Sequence, residues 1–343
     1  MEKLVVYGTD IKSRNKNPGV IFKDNGFSYK IIPFWAEWPK ELYKVQIPAV
    51  CCGPDDKVFV LARSKEIPIA VFSNKGKFLY SLKPEFPGHL HGMSINSKGE
   101  LLCTDDQAHV IFKINSNTGK ILHIYGKLNK PSDTGYHDAY GLMRKEKGIT
   151  DAEFYDFCKW LDMGLDSIKK TAPPFNKPTW MVEAPNGDLY CSDGYGNAAI
   201  HHFTADGNLI KTWGSPGRGI GQFRLPHSLW VDKKYQVWVA DRENSRVQVF
   251  SKDGNILKVI GGLLRAADIW CDGNIMYIGE LDGGITICDL NFNILAQLGY
   301  YQSPLRIHSI TGNSKKDLFF AVNPPCVEMD FNSPVGLVKL KRL

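Results

Sequence analysis

One pattern recurs along this chain of 343 residues and limits the fold more than any other feature. It is clearest in residues 221–250, GQFRLPHSLWVDKKYQVWVADRENSRVQVF. There Leu225-Pro226-His227 leads into an apolar strand, Ser228-Leu229-Trp230-Val231, and a turn follows at Asp232-Lys233-Lys234. A second strand, Gln236-Val237-Trp238-Val239-Ala240, ends on Asp241. After a polar loop, Arg242-Glu243-Asn244-Ser245, comes a third strand, Arg246–Phe250. Alternating apolar positions with turn residues between them describe an antiparallel meander. The same signature appears at Leu101-Cys103-Asp105 with Val110-Phe112, and at Leu189-Cys191-Asp193 with Ile200-Phe203. Asn186-Gly187, Asp206-Gly207, Asp253-Gly254 and Asp272-Gly273 punctuate the later copies, as tight hairpins require.

Six units can be traced, at 49–82, 90–126, 178–214, 225–262 and 266–299, and from 306 onward. Units of this length, each of four short strands, predict an all-β chain: one six-bladed β-propeller over residues 1–343. A terminal strand, either 335–340 or Leu4-Val5-Val6-Tyr7, is expected to complete the last blade. The rest of residues 1–30 reads as a polar, glycine- and asparagine-rich passage, and residues 31–48 as irregular.

Residues 127–177 break the repeat between blades two and three. They carry a helical pattern over 150–170, opened by Thr150-Asp151-Ala152-Glu153, which resembles a capping box. Phe154, Phe157, Leu161, Leu165 and Ile168 share one face. The partly helical insertion is expected to pack on the propeller rim or to act as a lid.

Composition narrows the class. With 43% hydrophobic residues there is ample material for a core, and a repeat architecture lets the core grow by stacking. A net charge of +6, with no basic run, argues against nucleic acid. No apolar stretch is long enough to span a membrane, and the N-terminus has no signal-peptide core. Eight dispersed cysteines without a CxxC pair read as reduced and mostly buried. A cytoplasmic protein is expected; its oligomeric state leaves no mark.

The chemistry emerges when the units are aligned. His227 lies fourteen residues before Asp241, His91 fourteen before Asp105 and His308 fourteen before Val322, all without gaps. Each histidine therefore opens the innermost strand of blade two, four or six. The third unit has Thr179 there, and the fifth Ala266 or Ala267. Alternate blades of a six-fold ring stand roughly 120° apart, so three imidazoles should converge at one depth. Three histidines with open positions make a catalytic metal arrangement, best suited to zinc, with iron or manganese as alternatives.

In a propeller the inner strand begins on the face where the second strand ends, so the loops after the second strands should surround the metal. Those loops hold Arg63, Asp193-Gly194-Tyr195-Gly196-Asn197 and Asp241-Arg242-Glu243-Asn244, and Arg306 lies two residues before His308. The strand-end aspartates Asp193 and Asp241 read first as loop-tying residues. Arg242 either pairs with Glu243 or a neighbouring blade, or binds substrate. Tyr195 is the candidate acid or base, because a neighbouring cation favours the phenolate.

At these residues the chain resembles a known family. Units three to five look like NHL repeats, and SDGYGNAAI together with LPHSLWVDKKYQVWVADRENSRVQVF resembles peptidyl-α-hydroxyglycine α-amidating lyase over about residues 50–325. The resemblance implies a six-bladed propeller that cleaves a carbinolamide to an amide and glyoxylate at a three-histidine zinc. It makes His91, His227 and His308 the zinc ligands, Tyr195 the catalytic tyrosine, and Arg63 and Arg242 the active-site arginines. Ser309 replaces the family's calcium-binding aspartate, which argues against calcium, and Arg306 replaces a methionine. Gly196 and Asn176 stand at the positions of one family disulfide, and Trp238 and Val249 at those of the other. No monooxygenase domain is expected within these residues.

The expectation is a zinc lyase for a small hydroxylated, anionic substrate, with Arg63, Arg242, Arg306 and Asn197 around it. Two readings from other classes compete: a hydrolase or hydratase using metal-bound hydroxide, and a non-catalytic NHL module whose loops bind a protein or RNA. Fold alone does not separate them.

Overall fold

The computed structural model describes residues 20–32, 35–43, 45–138, 154–300, 305–322 and 336–343. Its strands form six antiparallel sheets, the blades of a six-bladed β-propeller. The contacts divide the chain into two compact units, one holding the first and sixth sheets with most of the fifth, the other holding residues 84–267.

Within the second unit three sheets repeat one plan. They are Leu90–Ile95, Glu100–Asp105, Val110–Asn115 and Ile121–Gly126; then Pro178–Glu183, Leu189–Asp193, Ala199–Phe203 and Leu209–Trp213; then Pro226–Val231, Val237–Asp241, Arg246–Phe250 and Ile256–Ile260. The inner three strands of each are buried almost throughout, whereas the fourth exposes pairs such as Leu209 and Ile210 or Ile256 and Leu257. Near-continuous apolar runs fit strands covered on both faces.

The inner strands carry two features that position side chains. A β-bulge falls where the ladder passes from Pro226↔Asp241 to Ser228↔Ala240, skipping His227. The same shift lies at His91, at Thr179 and, in the first unit, at His308. An extra residue leaves the ladder and bends the strand, re-aiming the side chain. The first sheet, which has no such histidine, pairs Ala49–Cys52 with Val58–Leu61 without a shift. The residue preceding the inner strand is left-handed in four sheets, with φ of 61° at Lys177, 71° at Leu225, 57° at Arg265 and 53° at Arg306.

In the first unit, the first sheet continues with Ile69–Phe72 and Phe78–Leu82, and the fifth comprises Ala266–Cys271, Ile275–Glu280, Ile285–Asp289 and Ile294–Leu298. The sixth sheet corrects the terminal expectation. Behind Ile307–Gly312 and Leu318–Val322 lies the C-terminal strand Leu337–Arg342, followed by Phe27–Ile32 and Ile21–Asp24. Both ends contribute, where the sequence offered one or the other. The passage read as polar contains a two-residue Asn25-Gly26 hairpin, both residues at positive φ, the strongest short hairpin signal and one overlooked. Leu4–Tyr7 lies outside the described residues. Residues 35–43 are irregular as expected, apart from one 3₁₀ turn, Lys40–Leu42.

The helix of the insertion spans Phe154–Ser167, inside the expected 150–170. Leu161, Leu165 and Ile168 are buried against Leu225, with Tyr136 and Tyr195 packed beside them. The capping-box residues and the side chains of Phe154 and Phe157 lie outside the described residues. No described helix is long and apolar enough to cross a membrane.

Tyr29 joins the two chain ends. Fully buried among Phe22, Tyr277, Leu318, Phe320 and Leu340, it lies 4.9 Å beneath the Arg342 guanidinium. Tyr29→Ala should lower the unfolding free energy by about 3–5 kcal/mol in urea titrations, the cost of truncating a buried aromatic.

Candidate functional site

His91 and His227 lie together in the second unit, their rings 4.8 Å apart and nearly perpendicular. Each is turned by one hydrogen bond. His91 Nδ1 donates to the carbonyl of Thr179 at 3.0 Å, and His227 Nδ1 to that of Ala267 at 2.7 Å. A carbonyl only accepts, so the proton sits on Nδ1 and Nε2 keeps its lone pair. Both acceptors lie on the next sheet's inner strand, at the positions matching the histidines. The strands approach so closely at His91 that a Cβ on Gly92 would stand 2.2 Å from the Thr179 oxygen. In the first unit His308 repeats the arrangement, its Nδ1 donating at 2.7 Å to Pro48, the residue before the first sheet's inner strand.

Tyr195 is beside His91, its hydroxyl 3.1 Å from Nε2. Arg242 lies over the tyrosine ring at 5.6 Å and points Nη1 at the same hydroxyl from 3.4 Å. The direction of donation runs from guanidinium to phenol oxygen, and from phenol proton to imidazole. Arg242 is 3% exposed, and its Nε donates to Glu243 at 2.8 Å. The ion pair with Glu243, one of the two alternatives the sequence offered for Arg242, is present beside the approach to Tyr195. Glu243 also binds Arg265, at 2.7 Å from Nη2, a residue the sequence reading passed over. Burial pushes the Glu243 carboxyl up, but Arg242 and Arg265 outweigh it and hold the group below its ordinary value.

Backbone bonds hold these loops. Arg242 N–H donates to the carbonyl of left-handed Leu225 at 3.0 Å, and Tyr195 N–H to that of left-handed Lys177 at 3.4 Å. Arg63 N–H bonds Gln46 in the same way at 3.0 Å, and its guanidinium donates to the Gln46 side chain. A Cβ on Gly194 would meet the Pro226 carbonyl at 2.2 Å, so glycine lets the Tyr195 loop close on the strand of His227.

The strand-end aspartates tie loops, as read from the sequence. Asp193 accepts from Asn176 N–H at 2.7 Å and Asn197 Nδ2 at 2.9 Å; Asp241 accepts from Arg224 N–H, Asn244 and Arg246, each at 2.8 Å. Burial raises the pKa of both carboxyls. Asn197 is fully buried, and its amide also bonds the Ala172 carbonyl at 2.7 Å, a role in the scaffold. Thr134 donates to Gly196 O at 2.6 Å, so the insertion grips the Tyr195 loop from both its arms. Arg224 binds Asp162 and Asp166 of the helix, directly before the buried Leu225.

The residues matched to family cysteines are neighbours here. Trp238 and Val249 are cross-strand partners, and Gly196 N–H donates to Asn176 O at 3.0 Å. Ser309, in place of the family's calcium-binding aspartate, exchanges hydrogen bonds with Val50 N–H at 3.2 Å and Val50 O at 3.3 Å.

The donor set fits a transition metal: three buried imidazoles, each with Nδ1 committed to a carbonyl, the outer-shell partner that fixes a metal-binding tautomer.

Comparison with known proteins agrees with this fold. The family model of the NHL repeat matches residues 223–250. Peptidyl-glycine alpha-amidating monooxygenase A of Xenopus laevis is 29% identical over 196 residues, 55% of this chain and 16% of that protein. Peptidyl-alpha-hydroxyglycine alpha-amidating lyase 1 of Drosophila melanogaster is 30% identical over 186 residues, 51% of this chain and 27% of that protein. This chain thus spans well under two thirds of these relatives' lengths. A solved streptogramin B lyase is similar in fold, with a TM-score of 0.58 and 16% identity over 92% of this chain and 98% of its own. The chain is a six-bladed β-propeller that carries an NHL repeat at residues 223–250 and is similar in sequence to amidating lyases.

Glu243 gives a pH test. A carboxyl depressed by its partners adds stability that is fully present above its unfolded value of 4.5 and is lost as pH falls below it. Glu243→Gln should therefore be destabilised at pH 7, and the gap from wild type should narrow by pH 3 in urea titrations. A gap independent of pH would mean that Glu243 contributes through packing alone.

Proposed function

We propose that the chain is a metal-dependent lyase that cleaves the C–N bond of a small, carbinolamide-type substrate, giving an amide and glyoxylate or a related oxo-acid. The observation that carries this is the Tyr195 hydroxyl held between His91 Nε2 and the buried Arg242. A hydrolase using metal-bound hydroxide has no need of a phenol there. The relatives' names and the donor set lend support.

His91, His227 and His308 would hold the metal, for which zinc is the best match to neutral imidazoles, ahead of iron and manganese. Bound there, it would supply a Lewis acid that makes the substrate hydroxyl more acidic. Tyr195, as tyrosinate, takes the hydroxyl proton; the O–H electrons form the new C=O bond, and the C–N electrons leave on nitrogen. The proton returns from Tyr195 to that nitrogen, so the reaction balances without a further reactant. The Arg242 guanidinium faces the Tyr195 hydroxyl and, with Arg63 and Arg306, grips the substrate carboxylate. Asn197 serves the site through Ala172 and Asp193. Calcium has no part in this reading. The helix packed on Leu225 and Tyr195 supports a lid role for the insertion, and the dispersed cysteines support a cytoplasmic home.

About one equivalent of transition metal per chain should copurify. His227→Ala should lose most of it while the sheet circular dichroism survives, because the blades have their own cores. Metal-free wild type, grown with ample zinc, would end the lyase reading.

Tyr195→Phe removes one hydroxyl, so folding and metal content should be kept. With N-acyl-α-hydroxyglycines as substrate and glyoxylate release as the signal, kcat should fall roughly 10²–10⁴-fold, the usual worth of acid–base catalysis. Full activity in this variant would shift the reading to metal-bound hydroxide.

A further inference from the structure

We infer that His201 is a positioning residue: with Asp193 it makes a proton-dependent latch that holds the insertion on the Tyr195 loop. The inference rests on the function proposed above only for the catalytic part given to Tyr195. Asp193 is where three elements meet. Its Oδ2 accepts from Asn176 N–H, on the second arm of the insertion, at 2.7 Å, and from Asn197 Nδ2, on the Tyr195 loop, at 2.9 Å. The third donor is His201 Nε2, on the third strand of the blade, at 3.4 Å. Asp193 Oδ1 is buried and has no partner among the described residues. Both side chains are wholly buried, and a buried carboxylate is costly unless its charge is met.

The three sheets of this unit meet the strand-end charge in different ways. In blade four Asp241 faces Arg246 across the ladder, whose Nε donates at 2.8 Å, and Gln248 adds a bond at 3.2 Å. In blade two Asp105 faces Val110 and accepts three backbone N–H groups, from Gly88, His89 and Ala108. In blade three Ala199 stands in the ladder place of the arginine and His201 in that of the glutamine. A guanidinium is charged at every working pH, whereas an imidazole is charged only when protonated. His201 is placed to hold either state. Its Nδ1 lies 2.9 Å from Thr212 Oγ1, and a hydroxyl can donate to a neutral ring or accept from a protonated one.

The other ionisable groups around the pair, among the described residues, are neutral or engaged elsewhere. Cys191, on the Asp193 strand, has its thiol pushed well up by burial. His202, next along the His201 strand, is bound to Asp188 at 2.8 Å, and Lys211 of the fourth strand reaches the Asp253 carbonyl. The insertion contributes Phe175, edge-on to the imidazole at 5.5 Å, and Lys177, paired with Asp138 at 3.1 Å. His109 of blade two, which accepts from Lys177 N–H, is lowered by burial to about 4. Burial raises the Asp193 carboxyl, and His201 opposes the rise. A carboxyl raised above its unfolded value contributes stability that is present below that value and lost as pH rises through the folded one. Loss of the proton from the pair leaves an unmatched charge in the interior. Opening of the latch hydrates that charge, so opening becomes easier as pH rises.

Amide hydrogen exchange of Asn176 in the full-length protein reads the latch directly and needs no substrate. Val239, in the ladder of blade four, reports global opening as the control. Between about pH 6 and about pH 9, where an imidazole ordinarily titrates, the Asn176 protection factor should fall at least roughly tenfold. Opening that releases one proton weakens protection by up to about tenfold per pH unit. Val239 should not follow. His201→Gln, which copies blade four, should show the weaker protection of Asn176 at both pH values. Thr212→Val, which removes the partner of Nδ1, should move the fall to lower pH and serves where His201→Gln does not fold. Protection of Asn176 independent of pH in wild type, an equal fall at Val239, or an unaltered fall in the variants would each overturn the inference. Turnover of N-acyl-α-hydroxyglycines judges the lyase reading separately: an inactive protein with this exchange behaviour would sink that reading and leave the latch standing.

Discussion

A hydrogen bond from imidazole Nδ1 to a backbone carbonyl in, or directly before, a neighbouring inner strand fixes each candidate-site histidine, and much else depends on it. It can form only because a bulge takes the histidine out of the ladder and turns its ring toward the next inner strand. It also sets the tautomer, leaving Nε2 as the lone-pair nitrogen. Close approach of the strands is a further condition, visible at Gly92, where any side chain would collide with the Thr179 carbonyl. Sheet packing, bulge, tautomer and ligand chemistry are thus one connected set of constraints.

A second constraint is the burial of Arg242. A guanidinium removed from water is costly unless its donors are satisfied and its charge is met. Glu243 meets it on one side, and the electron-rich face and hydroxyl of Tyr195 on the other.

The insertion takes part through two kinds of contact. Its helix buries Leu161, Leu165 and Ile168 against Leu225, while Thr134 and Ala172 bond the Gly196 carbonyl and the Asn197 amide. Leu225 carries the carbonyl that holds Arg242 N–H, and Gly196 follows Tyr195 directly. Apolar packing and backbone bonds therefore converge on the two loops that bear Tyr195 and Arg242.

The sequence alone determined the repeat. Alternating apolar positions, punctuated by turn pairs, are local signals, and their recurrence in register located six blades and three histidines fourteen residues before the ends of second strands. The side chains of Tyr195 and Arg242 were legible for the same reason, since the loops after the strands could be counted off. The Asn25-Gly26 hairpin was present to be read and was missed, because a polar stretch hid the short strands around it. Only the tertiary structure decided the bulges, the left-handed residues before the inner strands, the sharing of Glu243 between Arg242 and Arg265, and the use of both chain ends in one sheet. The physical reason is common to most of these. The groups that fix them are backbone carbonyls of Pro48, Thr179, Ala267, Lys177 and Leu225, and every residue has a carbonyl, so no residue type marks where one will be used.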